Sequence, residues 1–388
     1  MIKDVTENVK YIGADDPELE LFESQYHLPE GMCYNSYVIL DEKIAVLDTI
    51  DERKTDEWFD NLDKALGGRK PDYLVISHLE PDHAANIANA AAKYPEMKLV
   101  GNAKTFAMLP QFFDIDVENR KVVVKEKDSL DLGGHKLTFY TAPMVHWPEV
   151  MVCFEETEKI LFSADAFGKF GVMDAEPDDW ACEARRYYFN ICGKYGAQVQ
   201  GLLKKAAALD IKTICPLHGP ILTENLSYYI GLYDTWSKYE AETDGIFIAY
   251  GSIHGGTKKA AEKLYEILSA KTDKKISISD LSRSDMHENI EDAFRYSKMV
   301  MLAPSYDGGL FPPAADFINL LKSKTYRSRK VALVENFSWA ASAGRVMKEA
   351  FEGMKDVTLI GDTVSIKSTV KPADIERLEA LADAVINA

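Results

Sequence analysis

The fold of this chain is decided by one stretch, Ser77-His78-Leu79-Glu80-Pro81-Asp82-His83-Ala84-Ala85-Asn86. It follows the apolar run Tyr73-Leu74-Val75-Ile76, which predicts a buried strand that ends at a loop. Four side chains within six residues of this loop can bind a metal: His78, Glu80, Asp82 and His83. Such a loop can direct one pair of ligands at one metal and the other pair at a second. An ordinary polar loop is the alternative, and matching ligands downstream argue against it.

Three more candidate ligands follow apolar runs farther along the chain: His146, Asp165 and His218. Taken alone, each is ambiguous, because a single histidine after a strand is more often a satisfied surface residue. Together with the loop they make seven ligands, enough for two metals, and Asp165 is suited to bridge the two. Two other histidines, His135 and His287, are expected at the surface and are assigned no role.

The order and spacing of these seven residues resemble the metallo-β-lactamase superfamily, whose usual loop is His-x-His-x-Asp-His. In this chain Glu80 stands in place of the second histidine. The additional carboxylate makes the site harder and more anionic, which suits iron in a redox role better than zinc in hydrolysis. The resemblance implies an αββα sandwich, and Tyr34–Leu40 and Lys43–Thr49 resemble its opening hairpin, with a turn at Asp41-Glu42. We therefore expect a binuclear site with non-haem iron.

The second half of the chain contains a module of another type. The apolar run Gly245–Gly251 predicts a strand, which leads into Ser252-Ile253-His254-Gly255-Gly256-Thr257 and then into the helix-compatible residues Lys258–Ser269. Hydroxyls and glycines before a helix form a phosphate cradle, because backbone N–H groups and the helix dipole face the anion. Further strand–helix units follow and predict a doubly wound parallel sheet. Their strands are Lys298–Ala303, Val331–Val334 and Val357–Ile360.

Two later loops offer groups that suit a flavin. The first has hydroxyl and backbone groups after its strand: Pro304-Ser305-Tyr306-Asp307-Gly308-Gly309. The second places aromatic side chains where an isoalloxazine ring would stack: Asn336-Phe337-Ser338-Trp339-Ala340. For Trp339 the alternative is an ordinary half-buried tryptophan. This half of the chain resembles flavodoxin, which binds FMN at the carboxyl ends of such strands, so FMN is the expected cofactor.

A diiron-type β-lactamase module followed by a flavodoxin module resembles the flavodiiron proteins, also called A-type flavoproteins, over nearly the whole chain. The resemblance implies a reductase that converts O2 to water, NO to N2O, or both. It also implies two irons with a bridging carboxylate: one iron held by His78, Glu80 and His146, the other by Asp82, His83 and His218, and Asp165 between them.

Two features of this sequence depart from the family's pattern, and one ligand position varies within the family. His254 stands where flavodoxin-like phosphate loops commonly have a threonine. Glycines that are common in the third flavin loop are missing around Asn336 and Ser338. In some members of the family, the histidine that matches His83 does not bind its iron.

The resemblance also implies residues and partners around the site. By family position, Tyr26, His27 and Tyr195 line the substrate pocket; the alternatives are a loop residue for His27 and an aromatic helix face for Tyr195. The expected electron donor is a small reduced carrier protein such as rubredoxin. The implied assembly is a head-to-tail homodimer, or a dimer of dimers, in which the FMN of one subunit faces the diiron site of the other.

One basic cluster stands out in the acidic sequence: Lys322, Lys324, Arg327, Arg329 and Lys330. Two interpretations are open for it. It is either a solvated turn before a strand or a docking patch for an acidic electron carrier.

Length, charge and cysteine content limit the remaining possibilities. The 388 residues predict a diiron domain in residues 1–243 and an FMN-binding domain in residues 244–388. A net charge of −17 argues against nucleic acid and membrane surfaces as partners. The N-terminus lacks a signal pattern and no run of eighteen apolar residues exists, so we expect a soluble, cytoplasmic protein. Five cysteines without a Cys-x-x-Cys pair fit a reducing compartment.

Two other classes of function compete with this interpretation. One is a zinc-dependent hydrolase fused to a flavodoxin-like regulatory domain, but Glu80 argues against it and hydrolysis gives a flavin no role. The other is an electron-transfer module with a degenerate metal site, which the seven intact ligands disfavour. Electron counting supports the reductase, because two ferrous ions and a reduced flavin hold the four electrons that O2 needs.

Overall fold

The computed structural model describes residues 2–175 and 179–388 of the chain. The chain divides into two compact units: Met1–Tyr188 with Ala197–Asp234, and Phe189–Gly196 with Thr235–Ala388. Each unit is therefore built from two segments of the chain. The single domain boundary that the sequence analysis placed between residues 243 and 244 stays a prediction. Among the described residues, no helix has the length and apolar character needed to cross a membrane.

The first unit contains two sheets. Its strands are β1 (Lys3–Asp4), β2 (Val9–Tyr11), β3 (Ala14–Asp16), β4 (Leu21–Phe22), β5 (Tyr26–His27), β6 (Met32–Tyr34), β7 (Tyr37–Ile39), β8 (Ala45–Leu47), β9 (Tyr73–Val75), β10 (Lys98–Gly101), β11 (Lys121–Val123), β12 (Ser129–Asp131), β13 (Lys136–Thr141), β14 (Met151–Glu155), β15 (Ile160–Phe162) and β16 (Thr213–Cys215). One sheet has the order β1-β2-β7-β8-β9-β10-β11, and the other β12-β13-β14-β15-β16. Two small pairs, β3 with β6 and β4 with β5, lie outside these sheets.

The predicted opening hairpin is confirmed as the antiparallel pair β7 and β8. From β8 the sheet continues in parallel through β9, β10 and β11. In the second sheet, β12 to β15 are antiparallel and β16 joins β15 in parallel. The loops after β9, β13, β15 and β16 are those that carry the predicted ligands.

An apolar core joins the two sheets. Tyr37 and Val75 of one sheet and Phe139 and Phe162 of the other belong to the same buried cluster. The ring centroids of Tyr37 and Phe162 are 5.4 Å apart. Burial of apolar surface stabilises a fold by about 25 cal/mol per Å². The core therefore fixes the strand ends, and with them the polar loops that follow.

Helices fill the connections between these strands. They are α1 (Thr55–Leu66), α2 (Pro81–Ala84), α3 (Ile87–Lys93), α4 (Ala103–Met108), α5 (Trp180–Tyr187), α6 (Gly196–Ala206) and α7 (Leu226–Ser237). Shorter turns are the 3-10 segments Glu52–Lys54, Leu109–Gln111 and Gly193–Tyr195 and the π-helical segment Tyr188–Cys192. Helix α1 is amphipathic, because Trp58, Leu62 and Leu66 recur at helical spacing and are buried. It ends at Gly67, whose φ of 56° suits a helix C-cap.

The second unit alternates strands and helices. Its strands are β17 (Thr243–Tyr250), β18 (Ile276–Asp280), β19 (Tyr296–Tyr306), β20 (Gly309–Leu310), β21 (Lys330–Phe337), β22 (Thr358–Leu359) and β23 (Val364–Lys367). Its helices are α8 (Gly256–Lys271), α9 (Met286–Arg295), α10 (Pro312–Ser323), α11 (Ala343–Glu352) and α12 (Pro372–Asn387). The sheet order is β18-β17-β19-β21-β22, with β23 also beside β21 and the short β20 antiparallel to β19.

The predicted doubly wound parallel sheet is confirmed. The strand order reverses between β17 and β19, and ligands of such sheets bind at the carboxyl ends of the strands beside this switch point. The sequence analysis missed three strands of this unit: β18, the two-residue β20 and β23. Strand β18 alternates isoleucine with serine at the sheet edge, and β23 is a short segment beside β21, so neither forms a continuous apolar run.

The basic cluster before β21 is mostly engaged within the second unit. The Arg329 guanidinium is buried and donates to the carbonyl oxygens of Tyr239 and Glu240 at 2.6 and 3.1 Å. Lys330 donates to the carbonyl oxygen of Ala388, and the Arg327 guanidinium lies 3.8 Å from the centroid of the Tyr239 ring. These contacts favour the interpretation of the cluster as a turn before β21 over its interpretation as a docking patch for an electron carrier.

A polar clamp links two turns of the first unit. The Oδ2 atom of Asp41, in the turn between β7 and β8, lies 2.7 Å from the Nδ1 atom of His135 and accepts the backbone N–H of His135 at 2.6 Å. The expectation of a surface position for His135 is wrong, because only 6% of the residue is exposed. Burial by itself would raise the pKa of Asp41, but hydrogen bonds from Gly134 and His135 hold it at about 2.

This clamp predicts a pH-dependent effect of Asp41→Asn. The folded-state pKa of Asp41 lies below its value in unfolded chains, so the clamp stabilises the fold at neutral pH and this contribution is lost as the pH falls from about 4 towards 2. We expect the substitution to lower the free energy of unfolding by about 1 kcal/mol at pH 7, allowing for solvent screening. Urea unfolding between pH 7 and pH 3 measures the difference, which should narrow on acidification. Asp60→Asn, which alters an exposed carboxylate of α1, is the control; an equal loss at all pH values would contradict the prediction.

Candidate functional site

The candidate metal ligands lie at the ends of four strands of the first unit. His78 and Glu80 follow β9, and Asp82 and His83 lie in the short helix α2. Pro81 is the first residue of α2, where its missing N–H removes no helical hydrogen bond. The other three ligands follow β13, β15 and β16: His146, Asp165 and His218. The structure brings all seven predicted side chains together in two groups.

The first group consists of His78, Glu80, His146 and Asp165, whose candidate ligand atoms all lie within 4.8 Å of one another. The Oε2 atom of Glu80 is 3.1 Å from His78 Nε2 and 2.9 Å from His146 Nε2. The Oδ2 atom of Asp165 is 3.3 Å from His78 Nε2 and 3.2 Å from His146 Nε2. Two carboxylates and two imidazoles therefore face one point.

The second group consists of Asp82, His83 and His218. The Nε2 atoms of the two histidines are 2.9 Å apart, and Asp82 Oδ2 lies 3.3 Å from His83 Nε2 and 3.2 Å from His218 Nε2. The remaining oxygen of Asp165, Oδ1, is 3.4 Å from His83 Nε2. The two oxygens of Asp165 thus face different groups, which is the position of a bridging ligand.

The chemistry of this donor set fits two metal ions. Both oxygens of Asp82 and both of Asp165 are buried and accept no hydrogen bond from the described part of the chain; histidine ring nitrogens are what approaches them. A buried carboxylate without such partners is costly unless a cation balances it. Carboxylate oxygens with imidazole nitrogens are a ligand set that suits iron, and no thiolate takes part.

Electrostatics keep the carboxylate of Asp165 ionised. Burial by itself would raise the pKa of Asp165, but the adjacent imidazoles of His78, His146 and His83 hold it well below its usual range. Burial lowers the pKa of His146, yet the adjacent carboxylates of Asp165 and Glu80 raise it to about 9. The site therefore presents anionic oxygens at neutral pH, as a cation-binding site requires.

Two outer contacts that the sequence analysis missed fix the histidine rings. His78 Nδ1 lies 3.1 Å from Oε1 of Glu149, and His218 Nδ1 lies 2.7 Å from the backbone oxygen of Cys33. Because a carbonyl oxygen and an ionised carboxylate only accept, each ring donates from Nδ1, and its Nε2 atom is the one that faces the ligand groups.

The predicted pocket residues Tyr26 and His27 lie on opposite faces of one short strand pair. In the pair β4–β5, Phe22 opposes Tyr26 and both are buried, whereas Leu21 opposes His27 and both are exposed. The Phe22 ring lies 5.4 Å from the His218 ring. The hairpin therefore turns Tyr26 to the buried side with Phe22 and His27 to the exposed side with Leu21, and the predicted role of His27 stays a prediction.

A second aromatic residue of the wall was also missed. The buried Tyr187, at the end of α5, lies 5.6 Å from the His218 ring between centroids. Tyr195 belongs to the second unit, so its predicted role stays a prediction. The aromatic residues around Tyr187 predict a buried helix face. Their helical spacing does not show which of these rings contacts His218, in the loop after β16.

The second unit has a cavity of about 910 Å³ at the carboxyl ends of its parallel strands. Every predicted flavin contact except Gly255 lines it. The sequence analysis missed six other lining residues: Lys259, Ala341, Ser342, Arg345, Ser368 and Thr369. The volume and position suit a cofactor bound at the switch point of a doubly wound sheet.

The phosphate loop has the geometry of an anion cradle. Gly255 has a φ of 85°, which favours glycine, and α8 begins at Gly256. A Cβ atom on Gly256 would lie 2.0 Å from the backbone oxygen of Ser368, so a side chain there does not fit. The Ser252 hydroxyl accepts the backbone N–H groups of Gly255 and Lys258 at 3.1 and 3.2 Å. The loop is thereby held in shape before any anion binds.

Hydrogen bonds hold the two loops predicted to contact the flavin ring, Pro304–Gly309 and Asn336–Ala340, to neighbouring segments of the cavity wall. Ser305 Oγ accepts the backbone N–H groups of Ser342 and Ala343 at 2.9 and 3.1 Å. Asn336 donates to the backbone oxygen of Ser368 at 3.1 Å, so it holds the loop as well as lining the cavity. The half-buried alternative for Trp339 is wrong, because 92% of this residue is exposed. Its flat face is available to a planar ligand.

Comparisons with known proteins agree with this geometry. The model of a family described as ODP family beta lactamase matches residues 32–219. The anaerobic nitric oxide reductase flavorubredoxin of Vibrio vulnificus is 27% identical over 350 residues, which are 87% of this chain and 70% of that protein. A Synechocystis sp. relative whose name contains the words diflavin flavoprotein is 29% identical over 292 residues; the match covers 74% of this chain and about half the length of the relative, 50%.

Among solved structures, the rubredoxin oxygen:oxidoreductase of Desulfovibrio gigas superposes with a TM-score of 0.92 at 23% identity, covering 100% of this chain and 98% of that one. Fold and site define an oxidoreductase that joins a metallo-β-lactamase-like metal-binding unit to a flavodoxin-like unit. Over nearly its whole length the chain is similar to proteins of the flavodiiron type.

The exposed Trp339 generates a prediction about FMN affinity. Since stacking on an aromatic ring contributes on the order of 0.5–1.5 kcal/mol beyond the area buried, we expect Trp339→Ala to raise the dissociation constant of FMN roughly 2- to 10-fold. Titration of flavin-stripped protein, followed by FMN fluorescence, measures this, and the iron content should not change. Tyr265→Ala, which removes an exposed aromatic of α8 outside the cavity lining, is the control. Equal affinities of wild type and Trp339→Ala would show that the ring does not stack on FMN.

Proposed function

We propose that this protein is a flavodiiron oxidoreductase that reduces O2 to water, NO to N2O, or both, at a non-haem diiron site supplied with electrons by FMN. The observation that carries the proposal is the pair of ligand groups with the two oxygens of Asp165 divided between them. The relatives' names support both gases, because one is a nitric oxide reductase and another an oxygen oxidoreductase. The two substrates therefore stay open.

The proposed ligand assignment follows the two groups. His78, Glu80 and His146 would hold one iron, Asp82, His83 and His218 would hold the other, and Asp165, whose two oxygens face different groups, would serve both. When bound, the irons and the flavin supply electrons: four convert O2 and four protons into two waters, and two convert two NO and two protons into N2O and water. The carboxylates offset the charge of the cations and fix their positions.

The aromatic wall serves the proposed reaction in two ways. Phe22, Tyr26 and Tyr187 are buried apolar surfaces, which exclude water from the site and accept small, weakly polar gases. Burial raises the pKa of Tyr187 well above its usual value, and the charges of Asp165 and Glu80 raise it further. Its phenolic oxygen therefore keeps its proton at neutral pH and can donate a hydrogen bond.

The cavity of the second unit is the proposed FMN site. The loop from Ser252 to Thr257 would hold the phosphate with backbone N–H groups, and the rims at Tyr306 and Trp339 would contact the ring. A zinc hydrolase is disfavoured, because Glu80 occupies a position that is histidine in the usual hydrolase loop and because hydrolysis would give the flavin cavity no role.

We also propose a cytoplasmic location and a small electron-donor protein of the rubredoxin type.

The first test is metal, flavin and gas analysis of wild type and Asp165→Asn. Wild type should contain about two irons and one FMN per chain and should reduce at least one gas when supplied with electrons anaerobically. The amide cannot offset charge on both ions, so the variant should lose iron and nearly all turnover while FMN stays bound. Asp210→Asn, at an exposed carboxylate of the same unit, is the control. A variant with two irons and full turnover would remove Asp165 from the site, and zinc with hydrolysis in wild type would favour the hydrolase.

The second test concerns the proposed head-to-tail homodimer, in which the FMN of one subunit serves the irons of the other. One parent carries Asp165→Asn and lacks a working metal site. The other carries Thr257→Asp, which places a carboxylate at the buried head of the phosphate loop and repels the FMN phosphate. Iron and FMN assays on each parent verify that only the intended cofactor is lost.

Neither parent alone should reduce the gas. After dissociation and random reassociation, about half of the dimers are mixed and each has one intact FMN–diiron pair, so activity should return to roughly a quarter of wild type. Verified subunit exchange without any return of activity would mean that electrons pass within one chain, and the head-to-tail arrangement would be rejected.

A further inference from the structure

The outer partner of His78 is a buried charge. Oε1 of Glu149 lies 3.1 Å from His78 Nδ1 and accepts the backbone N–H of Leu79 at 2.9 Å. The side chains of His78 and Glu149 are both 0% exposed. Glu149 lies three residues after His146, so a single loop supplies one ligand and the support of another. A full negative charge therefore stands directly behind the first ligand group.

Within the described residues, no carboxylate hydrogen-bonds the outer Nδ1 atoms of the two histidines in the second ligand group. The Nδ1 atom of His218 faces a neutral acceptor, the backbone oxygen of Cys33, at 2.7 Å. The Nδ1 atom of His83 is buried and has no hydrogen-bond partner within residues 2–175 and 179–388. The His218 ring is thus oriented by a backbone carbonyl. The His83 ring is oriented by packing and by the contacts of its Nε2 atom.

This difference bears on metal affinity. A carboxylate behind an imidazole fixes the tautomer and ring orientation and increases the basicity of the ligating nitrogen, and loss of such a partner typically costs 10- to 100-fold in metal affinity. Each group has one carboxylate of its own, Glu80 or Asp82, and they share Asp165. The two groups therefore have equal numbers of carboxylate ligands, and the difference between them is the carboxylate of Glu149, which contacts the outer nitrogen of His78.

We infer that the two metal positions are unequal: the His78–Glu80–His146 position binds its ion first and more tightly, and Glu149 is the positioning residue that causes the difference. This inference rests on the proposed diiron site but not on the gas that the site reduces. Its consequence is an ordered assembly, in which a chain with one ion carries it in the first group. The Asp82–His83–His218 position is then the one that loses its ion first.

The test is an anaerobic titration of the FMN-containing, iron-stripped protein with Fe2+. Wild type should bind two ions in two resolved steps. Glu149→Gln keeps the shape and an acceptor oxygen but removes the charge, and it should weaken the tighter step about 10- to 100-fold while leaving the weaker step unchanged. The two steps should then approach each other. A merely structural role would weaken both steps together.

A matched control is Glu155→Gln. Glu155 is also a fully buried carboxylate of the first unit, but it accepts the backbone N–H groups of Thr157 and Glu158 at 2.7 and 2.6 Å instead of a ligand. Its substitution should leave both steps unchanged. Two variants measure the inequality without altering Glu149, in case Glu149→Gln does not fold. His218→Ala should keep the tighter step, and His78→Ala should keep the weaker one.

Each outcome separates this inference from the proposed function. Two equal steps in wild type, equal weakening of both steps in Glu149→Gln, or tighter binding in His78→Ala than in His218→Ala would overturn the inequality and leave the diiron site standing. Absence of Fe2+ binding in wild type would overturn the proposed function itself.

Discussion

Buried carboxylates that no hydrogen-bond donor satisfies are the constraint on which this protein's site depends. Asp82 and Asp165 are removed from water, and their oxygens face histidine nitrogens. A fold can maintain such a cluster only if its core supplies more free energy than the cluster costs, or if cations bind there. The apolar sandwich between the two sheets provides the first condition, and the divided oxygens of Asp165 provide a place for the second.

The flavin cavity is held by a different kind of interaction. Its loops are shaped by backbone groups and hydroxyls, such as Ser252 with the start of α8 and Ser305 with the start of α11, rather than by buried charge. Its apolar surfaces at Trp339 and Tyr306 stay exposed. A phosphate and a planar ring need N–H donors and flat surfaces, whereas metal ions need anions. One chain therefore meets two cofactor requirements with two unrelated solutions.

Much of this organisation was predictable from the sequence, because strand ends are visible as places where an apolar run stops. His78 follows such a run in β9 of one sheet. Asp165 and His218 follow the parallel neighbours β15 and β16 of the other sheet, whose ends lie at one edge of that sheet. The phosphate loop could be located for the same reason, since Ser252 to Thr257 lie between a strand and a helix. The pairing of the ligands into two groups required the family resemblance, since spacing alone does not assign a residue to a metal.

The rest was decided only by the tertiary structure. Strand register turned Tyr26 inwards and His27 outwards, and a one-residue shift would have exchanged them. Glu149 resembles any other acidic residue until the loop after β13 places it behind His78. The partner of His218 is a backbone carbonyl, which every residue possesses and no side-chain pattern can reveal. The sequence by itself determined which residues could bind metal and flavin; the tertiary structure decided what supports each of them, because support depends on distances between segments far apart in the chain.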